Sequence, residues 1–87
     1  MALAYYSTNP TLRLHDTSHG LVTLERTKEN SYKIHKEGVE IGCVHKSPSG
    51  KKWCIAGTQI VAATRKQIIN DCVDLHYERV RRVAHNA

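Results

Sequence analysis

The chain has 87 residues, a formal net charge of +5 and a pI near 9.3, and 40% of its residues are hydrophobic. A chain of this size folds as one domain that buries roughly 60 to 65% of its unfolded surface, so one modest core is expected. No apolar run approaches the roughly 20 residues of a membrane-spanning helix, and the excess of cations favours an acidic partner such as nucleic acid.

Residues 1–10 (MALAYYSTNP) have no sustained period and end in a turn dipeptide, which predicts a loose N-terminal arm or an edge strand, with Tyr5 and Tyr6 as the residues to dock it. The single α+β domain is then expected over residues 11–87. From Thr11 the pattern alternates: Leu12 and Leu14 with Arg13 and His15, then turn residues from Asp16 to Gly20, then Leu21 to Thr27. That is a first hairpin. Lys28 to Asn30 make the next turn, and Tyr32 and Ile34 alternate with Lys33 and His35. Glu37-Gly38 is a tight-turn signal, beyond which Val39, Ile41 and Cys43 alternate with Glu40, Gly42 and Val44. Ser47-Pro48-Ser49-Gly50 is the clearest loop, and it leads into a strand with Trp53 and Ile55 on one face and Cys54 and Ala56 on the other. Thr58 to Ala63 is either a short extra strand or the connection to a helix.

The helix itself is read over residues 64–83. Thr64 precedes Gln67 by three positions, the spacing of a capping box. At 100° per residue, Ile68, Ile69, Cys72, Val73, Leu75, His76, Val80 and Val83 share one broad sector, as for a helix laid on a sheet. The fold class predicted is α+β: an antiparallel meander of about four to five strands with one C-terminal helix packed on one face. The expected core comprises Leu21 or Val22, Tyr32, Ile34, Ile41, Cys43, Trp53 and Ile55. The opposite sheet face is expected to expose Lys33, His35, Glu40, Lys46 and Lys52, with Val44 and Cys54 among them.

No catalytic motif is visible. Cys43, Cys54 and Cys72 sit at apolar positions without paired spacing, and no basic segment followed by an apolar run opens the chain. A reduced, cytoplasmic protein is expected, with no metal, no cofactor and no enzymatic activity. Cys72 is two turns too deep in the helix for a thiol nucleophile, and His76 is better read as a hydrogen-bonded core histidine than as a base. The candidate nucleic-acid-binding residues are Lys33, His35, Lys46, Lys51 and Lys52, because phosphate contacts require reachable cations. The even-handed alternative is that these lysines keep a half-exposed sheet soluble.

From Ser31 to Val80, the succession of strand, Gly38 turn, strand, loop, Trp53 strand and Thr64-Arg65-Lys66 helix start resembles a known small module. It is similar to the DNA-binding domains of plant ethylene-response factors and the arm-binding domains of phage tyrosine recombinases, each built of three strands and a helix. The resemblance implies a sheet face that enters the major groove and a helix that braces it from behind. Those families place arginines on the reading strands, where this chain has Lys33, His35, Lys46 and Lys52; lysine offers a point charge without the bidentate fork. In size and charge the chain also resembles small phage accessory proteins, including anti-CRISPR inhibitors. The expected function is a non-enzymatic module that contacts nucleic acid, DNA ahead of RNA, through a basic sheet face. The alternative is a protein-interaction module that inhibits a host complex, using Tyr5, Tyr6 and Val44.

Overall fold

The computed structural model describes residues 12–86. The chain forms β1 (Leu12–Thr17), β2 (Gly20–Lys28), β3 (Ser31–Lys36), β4 (Val39–Lys46), β5 (Trp53–Ile55), β6 (Val61–Ala62) and one helix, α1 (Arg65–Asn86). The strands make a single antiparallel meander in the order β1-β2-β3-β4-β5-β6, with α1 across one face. The predicted fold class is the one observed, and the connection after Gly57 supplies the sixth strand. The expected arm at residues 1–10 lies outside the described residues.

Local chemistry explains the turns. Glu37 and Gly38 have φ of 52° and 82°, the paired left-handed conformation of a two-residue hairpin turn. That turn pairs Lys36 with Val39, so a regular ladder would set Ile34 opposite Ile41. Instead Ile34 pairs with Gly42 and Tyr32 with Val44, because a β-bulge intervenes between Ile34 and His35 on the partner strand. One extra residue reverses the facing of everything beyond it. Gly42, Val44 and Lys46 therefore face the helix, and Cys43 and His45 take the open face.

This bulge corrects the expected core. Val44 is fully buried at 0% exposure, whereas Ile41 and Cys43 are half-buried. Of the Leu21/Val22 pair, Val22 is buried and Leu21 is 55% exposed. Val22, Leu24, Ile34, Val44, Trp53 and Ile55 pack against Ile68, Ile69, Cys72 and Val73 of α1. Tyr32 packs at the margin of this cluster.

The helix starts where expected. The Gln67 amide donates to Thr64 Oγ1 at 3.2 Å, and the Ile68 amide to the Thr64 carbonyl at 3.1 Å. The reciprocal half of the capping box does not form, since the Gln67 side chain donates to Asp71 Oδ1 at 2.8 Å. Midway along α1 the β1–β2 turn docks: the His19 ring stacks on Tyr77 with centroids 4.2 Å apart, and His19 Nε2 lies 3.0 Å from Asp74 Oδ1. Past this point the helix outruns the sheet. Val80 and Val83, expected in the core, are 50% and 70% exposed.

Candidate nucleic-acid interface

The candidate cations divide between two places. Lys33 and His35 occupy the open sheet face, where Lys33 Nζ lies 3.8 Å from Glu40 Oε1 and His35 Nε2 3.1 Å from Glu25 Oε1. That face is balanced in charge rather than basic. Lys46 has moved to the helix side through the bulge, and Lys51 and Lys52 are exposed on the loop after β4.

That loop and the turn between β2 and β3 share one end of the sheet. The Lys46 amide donates to the Asn30 carbonyl at 2.9 Å, tying turn to strand, and Asn30 adopts φ 59°. The loop closes on itself: the Ser47 amide donates to the Lys52 carbonyl at 2.7 Å, and the Gly50 amide to the Ser47 carbonyl at 2.8 Å. The Lys52 amide adds a bond to Ser47 Oγ at 3.3 Å. Lys51 and Lys52 are thus presented from a fixed loop. Between loop and turn lies a cleft of about 490 Å³, whose lining includes Lys28, Asn30, His45, Lys46 and Ser47.

The helix start reaches the same end through a row of rings and cations. Arg65 Nη1 donates to the Tyr32 hydroxyl at 3.0 Å, and its guanidinium carbon sits 5.4 Å from the Tyr32 ring centroid. Tyr32 and Trp53 have centroids 6.1 Å apart, and Lys46 Nζ lies 5.7 Å from the Trp53 ring. Arg65 and Lys46 are therefore held at the two ends of one aromatic pair, each by a cation–π contact. Arg26 pairs with Tyr32 across β2 and β3, and Lys66 follows Arg65 in the first helical turn.

The electrostatics of this end are one-sided. Among the described residues the four ion pairs are His19–Asp74, Lys33–Glu40, His35–Glu25 and Arg82–Glu78, none of them using a cation of this end. Glu29 is the acid of the cleft. The first turn of α1 holds no acidic residue, so Arg65 and Lys66 sit against the positive end of the helix dipole. His15, whose facing on β1 matches that of Val22, feels this field: its ring is held below the ordinary histidine value by burial first, then by Arg65 and Lys66, with Asp16 opposing. Its Nε2 is buried without a hydrogen-bond partner among the described residues.

Sequence reasoning found Lys46, Lys51 and Lys52 but did not join them to Lys28, Arg26, Arg65 and Lys66. The pairing of β2 with β3, the loop after β4 and the contact of Arg65 with Tyr32 bring Arg26, Lys28, Lys46, Lys51, Lys52 and Arg65 to one end, and Lys66 follows Arg65 in the helix. Of the residues expected to serve a protein partner, Val44 is buried beneath the helix, and Tyr5 and Tyr6 lie outside the described residues. Cys72 is also buried, and burial, with Cys43 nearby, pushes its thiol up to about 11 while Arg79 pulls the other way. A thiol in that state is a poor nucleophile at neutral pH. Among the described residues no group of three or more His, Cys, Asp or Glu side chains is placed to hold a metal ion. No helix among them is long and apolar enough to cross a membrane.

No protein-family model, curated protein or solved structure matches this chain.

Proposed function

We propose that this protein is a non-enzymatic module that binds nucleic acid through its cationic end and not through the open sheet face. The carrying observation is the group of cations without an acidic partner among the described residues, Arg26, Lys28, Lys46, Lys51, Lys52, Arg65 and Lys66, around a loop and a helix start. Such cations displace counterions when they meet phosphates, and this supplies sequence-independent affinity. Lysines contact phosphate as point charges, so the interface positions a backbone more than it reads bases.

The test is a titration with duplex and single-stranded DNA over a salt series. Replacing Lys46, Lys51, Lys52 and Lys66 with Gln weakens binding and flattens the slope of log affinity against log salt by roughly 1 for each phosphate that is no longer neutralised. Lys33→Gln leaves both nearly unchanged, because Lys33 already faces Glu40. A slope that is equal in the quadruple variant and the parent rejects the proposal.

One observation favours a second reading, inhibition of a host nucleic-acid-processing or defence complex by protein contact. Val39, Val80 and Val83 are 62%, 50% and 70% exposed, and they lie toward the far end of the sheet and helix. Absence of DNA and RNA binding at low salt transfers the assignment to that reading.

A further inference from the structure

We infer that the cleft between the β2–β3 turn and the β4–β5 loop is a subsite for a terminal phosphate monoester of a nucleic-acid strand. The inference rests on the nucleic-acid reading and narrows it to strands with a free phosphorylated end. Shape is the first argument. Reading an intact duplex requires a protruding element that enters a groove, whereas this site is concave. Its volume of about 490 Å³ falls in the range of small-ligand sites, room for one nucleotide and none for a helix of DNA.

Chemistry is the second argument. Lys28 and Lys46 line the cleft against the single carboxylate of Glu29, and Lys51 and Lys52 stand on the loop that forms its rim. A phosphate monoester carries more negative charge than the diester of an internal linkage, so it gains more from this excess of cations. His45 adds a ring to the lining. Its Nδ1 lies 3.3 Å from the Lys46 carbonyl, and a carbonyl only accepts, so Nδ1 carries the proton and donates. In the neutral ring Nε2 is then an acceptor. It has no hydrogen-bond partner among the described residues and suits a sugar hydroxyl or the proton of a singly ionised phosphate. Asn30 and Ser47 add neutral polar groups to the wall.

Fluorescence anisotropy with three probes tests this: a 5′-phosphorylated single strand, the same strand with a 5′-hydroxyl, and a dumbbell duplex closed at both ends. One extra charge-assisted contact predicts a preference of roughly tenfold for the phosphorylated strand. His45→Gln reduces that preference toward unity while retaining the salt-dependent binding shared by all three probes, whereas Lys28→Gln, which removes one of the interface cations, reduces the preference and also flattens the shared salt slope. Lys28 is exposed, so its variant reports even if the His45 variant unfolds. Equal binding of the three probes overturns the inference and leaves the nucleic-acid reading standing. Failure of all three to bind at low salt overturns both. A nucleoside monophosphate that binds as tightly as the phosphorylated strand assigns the cleft to a free nucleotide and overturns the strand end as its ligand.

Discussion

Gly42 faces the helix where a Cβ would overlap the Cys72 sulfur. The Gly42→Ala substitution should therefore cost about 1 to 3 kcal/mol, the usual range for overpacking a filled core. Urea midpoints check this, and combining it with Cys72→Ala should recover most of the loss, since the two sites share one space. His15 yields a pH prediction. Its folded-state pKa is lowered below the unfolded value of 6.5, so the unfolded chain takes up the proton first as pH falls. Stability should accordingly decline on acidification below about 6.5, down to the folded-state value. The His15→Gln variant should lose that part of the slope in denaturation curves taken from pH 7 to 5. The facing of β4 was the residue-scale feature that the sequence concealed. Ile41-Gly42-Cys43-Val44 alternates acceptably on either face, and a bulge leaves no sign in apolar periodicity. Gly42 was the available clue, because a strand glycine often marks close approach of another element.

At the scale of elements, α1 was the most legible. Its cap, its period and its buried positions Ile68, Ile69, Cys72 and Val73 all follow from residue spacing. Thr64→Ala should destabilise by about 1 kcal/mol through loss of the cap. Where the stripe stops being buried was not legible, since periodicity reports a face and not the length of the sheet beneath it. The helix start also separates stability from binding. Lys66 is exposed and opposes the dipole, so Lys66→Glu should raise stability by roughly 0.3 to 1 kcal/mol. The same substitution should weaken DNA binding. Thermal melts and anisotropy on one preparation decide it, and a variant that gains stability without losing affinity removes Lys66 from the interface. Trp53 joins the two roles. It is 8% exposed in the core and lies beside Lys46, so Trp53→Ala should cost about 3 to 5 kcal/mol and release that lysine as well.

Over the whole molecule, charge is sorted by position along the helix. Arg65 and Lys66 stand at its start among the lysines of the sheet end, while Asp74 and Glu78 follow in its middle beside His19 and Arg82. The order of charges along the helix is legible in the sequence, but the meeting of Arg65 with the lysines of the sheet end is not, because it depends on separate connections converging in space. The net charge alone pointed to an acidic partner but left open which face would meet it. The described part measures 41 × 36 × 19 Å, close to the thickness of one sheet and one helix. A layer so thin leaves the open sheet face half-exposed, and its pairs Lys33–Glu40 and His35–Glu25 keep that face polar.

The overrun of α1 carries a consequence for motion. Beyond Tyr77 no strand among the described residues lies beneath the helix, and the ion pair there, Glu78–Arg82 at 2.6 Å, is worth only about 0.3 to 0.5 kcal/mol. The amide hydrogens of Ile68 to Val73 should exchange with solvent only through global unfolding, whereas those past Val80 should exchange through fraying of the last turns. Ending the chain after Arg81 should then leave the melting temperature almost unaltered. The shortened protein would retain the buried face of the helix, Ile68 to Val73, intact.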